Sequence, residues 1–142
     1  IMVVDDYAHH PTEVEATLQA AKAGWDRRIV AVFQPHLFTR TQAFFREFAK
    51  TLQIADVVVI TDIYPAREQP IPGVTAKLIY VECQRSMGDQ CFHIPDLDDL
   101  EKILDEIVKP NDLIITMGAG SIWRYSESYT NHLAFLADGV KS

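Results

Sequence analysis

The sequence predicts an α/β domain: a Rossmann-like, doubly wound, mostly parallel sheet with helices on both faces. Three observations point there. Short apolar runs rich in β-branched residues alternate along the whole chain with segments of helical spacing, which is the pattern of repeated strand–helix units. Several of those runs are apolar at every position, as strands covered on both faces are. The 142 residues, 48% of them hydrophobic, suit one domain and carry too much apolar material for a disordered chain. No internal repeat or low-complexity tract divides the sequence, so residues 1–142 read as a single domain.

Taken in order, Ile1–Val4 is the first strand. Pro11 then fits a first helical position, with Glu13 in the first turn and Val14, Leu18, Ala21 and Trp25 forming an apolar stripe. Ile29–Phe33 is the second strand. Thr39 to Gln42 reads as a capping box with Thr39 as the cap, opening a helix striped by Phe45, Phe48 and Leu52. After a third strand at Val57–Ile60 comes Asp62–Gly73, with Pro65, Pro70 and Pro72. It is too long for an ordinary connection and reads as a functional or interface loop. Val74, Leu78 and Val81 mark a short helix before the fourth strand, Phe92–Ile94. Asp96 and Asp99 cap a helix striped by Leu100, Ile103, Leu104 and Ile107, which Pro110 stops after Lys109. Leu113–Ile115 is the fifth strand, and Tyr125, Tyr129, Leu133 and Leu136 stripe a closing helix. A strand at the very first residue suggests a piece of something larger.

Charge narrows the function classes. Thirteen Lys and Arg against twenty Asp and Glu leave a net charge of −7. Such a surface argues against general nucleic-acid or anionic-membrane binding, which needs clustered cations. An anionic ligand must therefore be held by a few local groups. No apolar run reaches the roughly 18–20 residues of a membrane span, and no basic-then-apolar leader opens the chain. Cys83 and Cys91 form neither a CxxC pair nor a disulfide framework, which suits a reducing, cytoplasmic setting.

Ligands of open α/β sheets bind beyond the carboxyl ends of the strands, and four unusual segments fall there. The first is Asp5-Asp6-Tyr7-Ala8-His9-His10-Pro11-Thr12-Glu13, a dense polar cluster before a helix start whose free N–H groups favour anions. His9 and His10 are adjacent, so their side chains diverge, and no distant Cys/His set completes a zinc site. The second is Phe33-Gln34-Pro35-His36-Leu37-Phe38-Thr39-Arg40-Thr41. Arg40 there opposes the helix dipole, so its guanidinium fork is better explained by a carboxylate or phosphate ligand. The third, Asp62-Ile63-Tyr64-Pro65-Ala66-Arg67-Glu68, reads as a lid, a domain contact or an ordinary surface loop. The fourth, Met117-Gly118-Ala119-Gly120-Ser121-Ile122, has glycines that would let backbone approach a ligand closely. It is no dinucleotide fingerprint, because Trp123 stands where GxGxxG needs its third glycine, and the chain has no GxxxxGK[ST] phosphate loop.

Together, DDYAHHPTE at 5–13, FQPHLFTRT at 33–41, DIYPAREQPIPG at 62–73 and MGAGSI at 117–122 resemble the C-terminal domain of the Mur ligases, in that family's order. FQPH favours the members that take L-alanine, and DDYAHHPTE alone would also suit murein peptide ligase. The resemblance implies one domain of three, the UDP-sugar domain and the central ATPase domain being absent. It implies an ATP-dependent amide ligation: the UDP-N-acetylmuramate carboxylate becomes an acyl phosphate, which the amino group of L-alanine attacks. ATP and Mg2+ would be bound mainly by the central domain, and this chain alone should not turn over ATP. On the nucleotide side the implied contacts are Asp6, toward the ribose, with Tyr7 and His10. On the substrate side they are His9, His36, Arg40 and Arg67, with Tyr7 also facing the reacting end. No catalytic residue and no metal ligand is assigned to this chain. Many members carry an arginine after QPH where this chain has Leu37, so Arg67 is the candidate replacement. The alternatives are another ligase of the superfamily, such as murein peptide ligase, or a non-catalytic flavodoxin-like nucleotide-binding module.

Overall fold

The computed structural model describes residues 1–141. Five strands, β1 (Met2–Asp6), β2 (Ile29–Phe33), β3 (Val57–Thr61), β4 (Cys91–Ile94) and β5 (Leu113–Met117), form one sheet in the order β1-β5-β2-β3-β4. Every pairing is parallel. The connecting helices are α1 (Pro11–Gly24), α2 (Phe38–Leu52), α3 (Lys77–Met87), α4 (Leu100–Ile107) and α5 (Ile122–Lys141).

The all-apolar runs become central strands because both of their faces are covered. Ile29, Ala31 and Phe33 of β2, Val58 and Ile60 of β3, and Leu113, Ile115 and Met117 of β5 point into one core. There they meet Val14 and Leu18 of α1, Phe48 and Leu52 of α2, and Ile79 and Cys83 of α3. The alternate residues Val30, Val32, Val57, Val59 and Ile114 point into a second core with Leu100 and Leu104 of α4 and Ile122 and Tyr129 of α5. The chain steps from β1 toward β4 with helices on the first face, then returns to β5 across the second. Parallel strands joined by same-handed crossovers require that exchange of faces. β1 lies at the edge, bonded to β5 alone, and is only half-buried. At the amino end of the sheet the Arg28 guanidinium donates to the buried Asp112 carboxylate at 3.0–3.3 Å and to the Ile107 carbonyl at 2.6 Å. Cys83 and Cys91 are free thiols in the core.

Several expectations are corrected. The first strand runs on to Asp6, so both aspartates sit at its carboxyl end. α3 buries Ile79 and Cys83, while Leu78 is half-buried and Val81 exposed; Val74 is buried too, from the turn ahead of the helix. The expected Val74–Leu78–Val81 stripe therefore joined a turn residue to the wrong helix face. Trp25 and Leu136, the last members of their stripes, are exposed; Trp25 lies just past the end of α1 in extended backbone, so the helical spacing no longer applies to it. Asp96 accepts from Asp98 N at 2.9 Å, capping a short 3-10 turn at Leu97–Asp99 that leads into α4. Among the described residues, no helix is long and apolar enough to cross a membrane.

Candidate functional site

β5 lies between β1 and β2, yet its exit loop leads to the opposite face of the sheet from theirs. That divergence opens the crevice in which α/β proteins bind ligands. The loops around it are locked to one another. Gly118 N donates to the Asp6 carbonyl at 3.2 Å, and Gln34 N to the Met117 carbonyl at 3.0 Å. The buried Gln34 side chain then bridges the two exits, its Nε2 donating to Ser121 Oγ at 3.1 Å and its Oε1 accepting from Ile122 N at 3.1 Å. Gly118 adopts φ 155° against the Gln34 backbone, a conformation that favours glycine. A methyl group on Gly120 would strike the Tyr64 ring and lie 2.8 Å from Gln34 Oε1. So Gly120 admits a neighbouring loop, where the sequence pointed to close approach of a ligand.

The β1–α1 loop folds on its own polar groups. Asp6 accepts from Ala8 N at 2.8 Å through one oxygen and from the Thr17 hydroxyl at 3.3 Å through the other. Glu13 accepts from the backbone N–H groups of His9 and His10 at 3.2 and 3.0 Å, which holds its carboxyl below the usual range and caps α1. His9 Nδ1 lies 2.9 Å from the Tyr7 carbonyl, and the Tyr7 ring stands out 69% exposed.

α2 starts at Phe38, not after a Thr39 cap. Its capping residue is Leu37, in the left-handed region at φ 76°, a conformation that costs a non-glycine residue roughly 1–3 kcal/mol. The surroundings hold it there. Leu37 N donates to the Tyr64 carbonyl at 2.9 Å and Tyr64 N to the Pro35 carbonyl at 2.8 Å, a parallel bridge between the second and third loops. Thr41 returns both its N–H and its hydroxyl to the Leu37 carbonyl, at 3.2 and 2.9 Å. The cap itself comes from 30 residues further on. Glu68 Oε1 accepts from Phe38 N at 2.5 Å and Thr39 N at 3.2 Å, and Glu68 Oε2 accepts from the Thr39 hydroxyl at 2.5 Å. These bonds, the Thr39 hydroxyl foremost, hold the Glu68 carboxyl below its ordinary range.

Four of the sequence-predicted residues meet in a cluster of rings across these loops, with His9 at its centre. Centroid separations are 5.3 Å for Tyr7–His9, 4.9 Å for His9–His10 and 6.2 Å for His9–His36. Tyr64 extends the cluster, 5.6 Å from His36. The half-buried Arg40 joins it through Nη1, which donates to the His36 carbonyl at 3.3 Å. Burial above all, then the nearby positive charges of Arg40 and His9, push the His36 pKa below its ordinary value. Its Nδ1 is buried without a hydrogen-bond partner, and such an atom needs a bound polar group or water to complete it. Arg67 is exposed on the third loop, apart from the cluster. Asp6, at the end of β1, is engaged by Ala8 of the following loop and by Thr17 of α1. Sequence reasoning quoted Gln34, Tyr64 and Glu68 inside motifs without giving them roles. Their signal was polar and aromatic side chains at strand ends, but their partners lie 27 to 88 residues away. Among the described residues no cluster of three metal-ligating side chains occurs.

The family model for the Mur ligase, glutamate ligase domain matches residues 1–120. The chain belongs to the Mur ligase family. Relatives of this Mur ligase domain include the UDP-N-acetylmuramate–L-alanine ligases of Geotalea uraniireducens, 50% identical over 94% of this chain, and Salinibacter ruber, 51% identical over 94%. The chain spans only 29% and 28% of those proteins. The crystal structure of the UDP-N-acetylmuramate-alanine ligase MurC from Thermotoga maritima superposes with a TM-score of 0.74 at 33% identity, covering 93% of this chain and 26% of that one.

Proposed function

We propose that this chain is the C-terminal domain of an ATP-dependent ligase that joins L-alanine to UDP-N-acetylmuramate in peptidoglycan synthesis, where it completes the nucleotide site and presents the amino acid. The observation that carries the reading is the half-identity to L-alanine ligases over 94% of the chain. The site chemistry agrees with it. Arg40 offers a forked cation at the head of α2, matched to the amino-acid carboxylate. His36, its pKa lowered by burial, stays neutral near pH 7. In the tautomer protonated at Nε2, its unpaired Nδ1 is an acceptor for the ammonium of the same amino acid, which must lose a proton before it can attack. Arg67, exposed and without a hydrogen bond or ion pair to any described residue, is free to supply the second cation missing at Leu37. His9 lies between the His36 and Tyr7 rings and lines the same approach.

The nucleotide reading rests on Asp6, Tyr7 and His10. Each Asp6 oxygen accepts one internal hydrogen bond and keeps a second lone pair for a ribose hydroxyl. The exposed Tyr7 ring gives a flat face. His10 borders the start of α1, where a helix N-terminus favours anions. When bound, ATP with magnesium supplies the phosphoryl group that activates the sugar carboxylate. By the family resemblance, that chemistry is assigned to the central domain of the full ligase. This chain binds, orients and excludes water.

The test is steady-state kinetics on the full-length ligase. Arg40→Ala should raise the Michaelis constant for L-alanine by about tenfold to a hundredfold, the 1.5–3 kcal/mol of a charged hydrogen bond. The constants for ATP and UDP-N-acetylmuramate should move little. Arg40→Lys keeps the charge without the fork and should remain impaired. An L-alanine constant within about twofold of the parent in Arg40→Ala, under half a kcal/mol, rejects the assignment.

A further inference from the structure

We propose that Glu68 is the positioning residue for Arg40: it fixes the head of α2 so that the guanidinium fork is held open for the amino-acid carboxylate. The inference rests on the reading of Arg40 given above. α2 makes no side-chain cap bond of its own, and the residue that looks like its cap, Thr39, gives its hydroxyl to Glu68. Two backbone donors and one hydroxyl of the first turn thus converge on one carboxylate. With the two backbone bonds between Tyr64 and residues 35 and 37, five hydrogen bonds join the third loop to the turn that carries Arg40.

Charge explains why the group is a carboxylate. The head of α2 bears the positive end of the helix dipole, and Arg40 adds a full positive charge beside it. Glu68 offsets both. Its Oε1 accepts the two backbone donors and its Oε2 the Thr39 hydroxyl, and no ion pair with Arg40 forms among the described residues; Arg40 Nη1 instead donates to the His36 carbonyl. A neighbouring carboxylate would ordinarily bind the arginine fork bidentately and close it to a ligand. Here the carboxylate is held on the helix donors, so its field supports Arg40 while the fork stays available. Leu37, held in a left-handed conformation between the Tyr64 bond and α2, is the hinge that this clamp keeps from relaxing.

The experiment is kinetics and thermal unfolding of the full-length ligase carrying Glu68→Ala, Glu68→Gln, Arg40→Ala and the double substitution Glu68→Ala/Arg40→Ala. Glu68→Ala should raise the L-alanine Michaelis constant about tenfold, comparable to loss of one charge-assisted contact, with the ATP and UDP-sugar constants within about twofold. Glu68→Gln keeps one acceptor oxygen for Phe38 N and Thr39 N and should recover part of the loss. Because Glu68 acts through Arg40, adding Glu68→Ala to Arg40→Ala should worsen the L-alanine constant by less than about twofold. A purely structural role would lower the melting temperature and shift the three Michaelis constants alike, or none; either result overturns the proposal. So does a double substitution whose effects multiply. If Arg40→Ala alone leaves the L-alanine constant unchanged, the Arg40 reading fails and this inference falls with it. If Arg40→Ala is impaired and Glu68→Ala is not, only the inference falls.

Discussion

Gly120→Ala tests whether the last loop of the sheet is a packing joint. The added methyl would run into Tyr64 Cγ and lie 2.8 Å from both Tyr64 Cδ1 and Gln34 Oε1. Tyr64 cannot simply swing aside, because its backbone is bonded on both sides, to Pro35 and to Leu37. Gln34 cannot withdraw without releasing Ser121 and Ile122. Forcing a methyl into such a place costs typically 1–3 kcal/mol. Unfolding entropy is roughly 2.1 cal/mol/K per residue, so over the 142 residues it is about 0.3 kcal/mol/K and the melting temperature should fall by about 3–10 °C. The assay is thermal unfolding followed by circular dichroism, with Gly24→Ala as the control. At the end of α1 an added methyl meets nothing within 4 Å, so that change should be neutral or stabilise by about 0.4–1 kcal/mol. In a Tyr64→Ala background the cost of the Gly120 methyl should shrink, because its main obstacle is gone. A Gly120→Ala melting temperature within about a degree of the parent, well inside the range for 1 kcal/mol, would refute the packing argument.

Two further outcomes follow from the same region. Gln34→Ala leaves Ile122 N without its acceptor at the buried start of α5, which should lower stability by about 1–3 kcal/mol; it should appear as a lower denaturation midpoint at unchanged slope. His36 has a folded pKa below its unfolded 6.5, so the unfolded chain binds more protons between those values. The stability contribution is complete above about pH 6.5 and is lost as pH falls toward the lowered value. His36→Gln should remove that part of the slope, as measured by denaturation midpoints across pH 5 to 8.

The strands were legible because a central parallel strand needs apolar residues on both faces, and β2, β3 and β5 carry them at every position but two threonines. The four loops were legible as a set because polar and glycine-rich segments recur after those three runs and after the first strand. Local spacing could not show what crosses between loops. Thr39 followed by Gln42 has the form of a capping box, yet a carboxylate brought back from Glu68 outcompetes it. Val74 has helical spacing to Leu78, but the chain turns between them and α3 presents Ile79 and Cys83 to the sheet. The glycines of MGAGSI suggested close approach of a ligand, and at Gly120 the group that approaches is Tyr64. In each case the deciding partner is distant in sequence, which periodicity does not report.

The insertion of β5 between β1 and β2 has a consequence for how the chain is made. β2, β3 and β4 are neighbours in space and follow one another along the chain, so they can pair as they are synthesised. β1 pairs only with β5, and its partner residues Leu113 to Met117 emerge more than a hundred residues later. Until then β1 lacks its partner strand within this domain, and the edge of β2 that will receive β5 lies bare. Contacts of such long sequence separation slow folding, and unpaired edges expose a nascent chain to aggregation. The loop holding Asp6, Tyr7 and His9 hangs from that first strand. The part of the site carried by β1 is therefore set in place only once β5 has been made, and a chain cut before Leu113 would leave the crevice unbuilt.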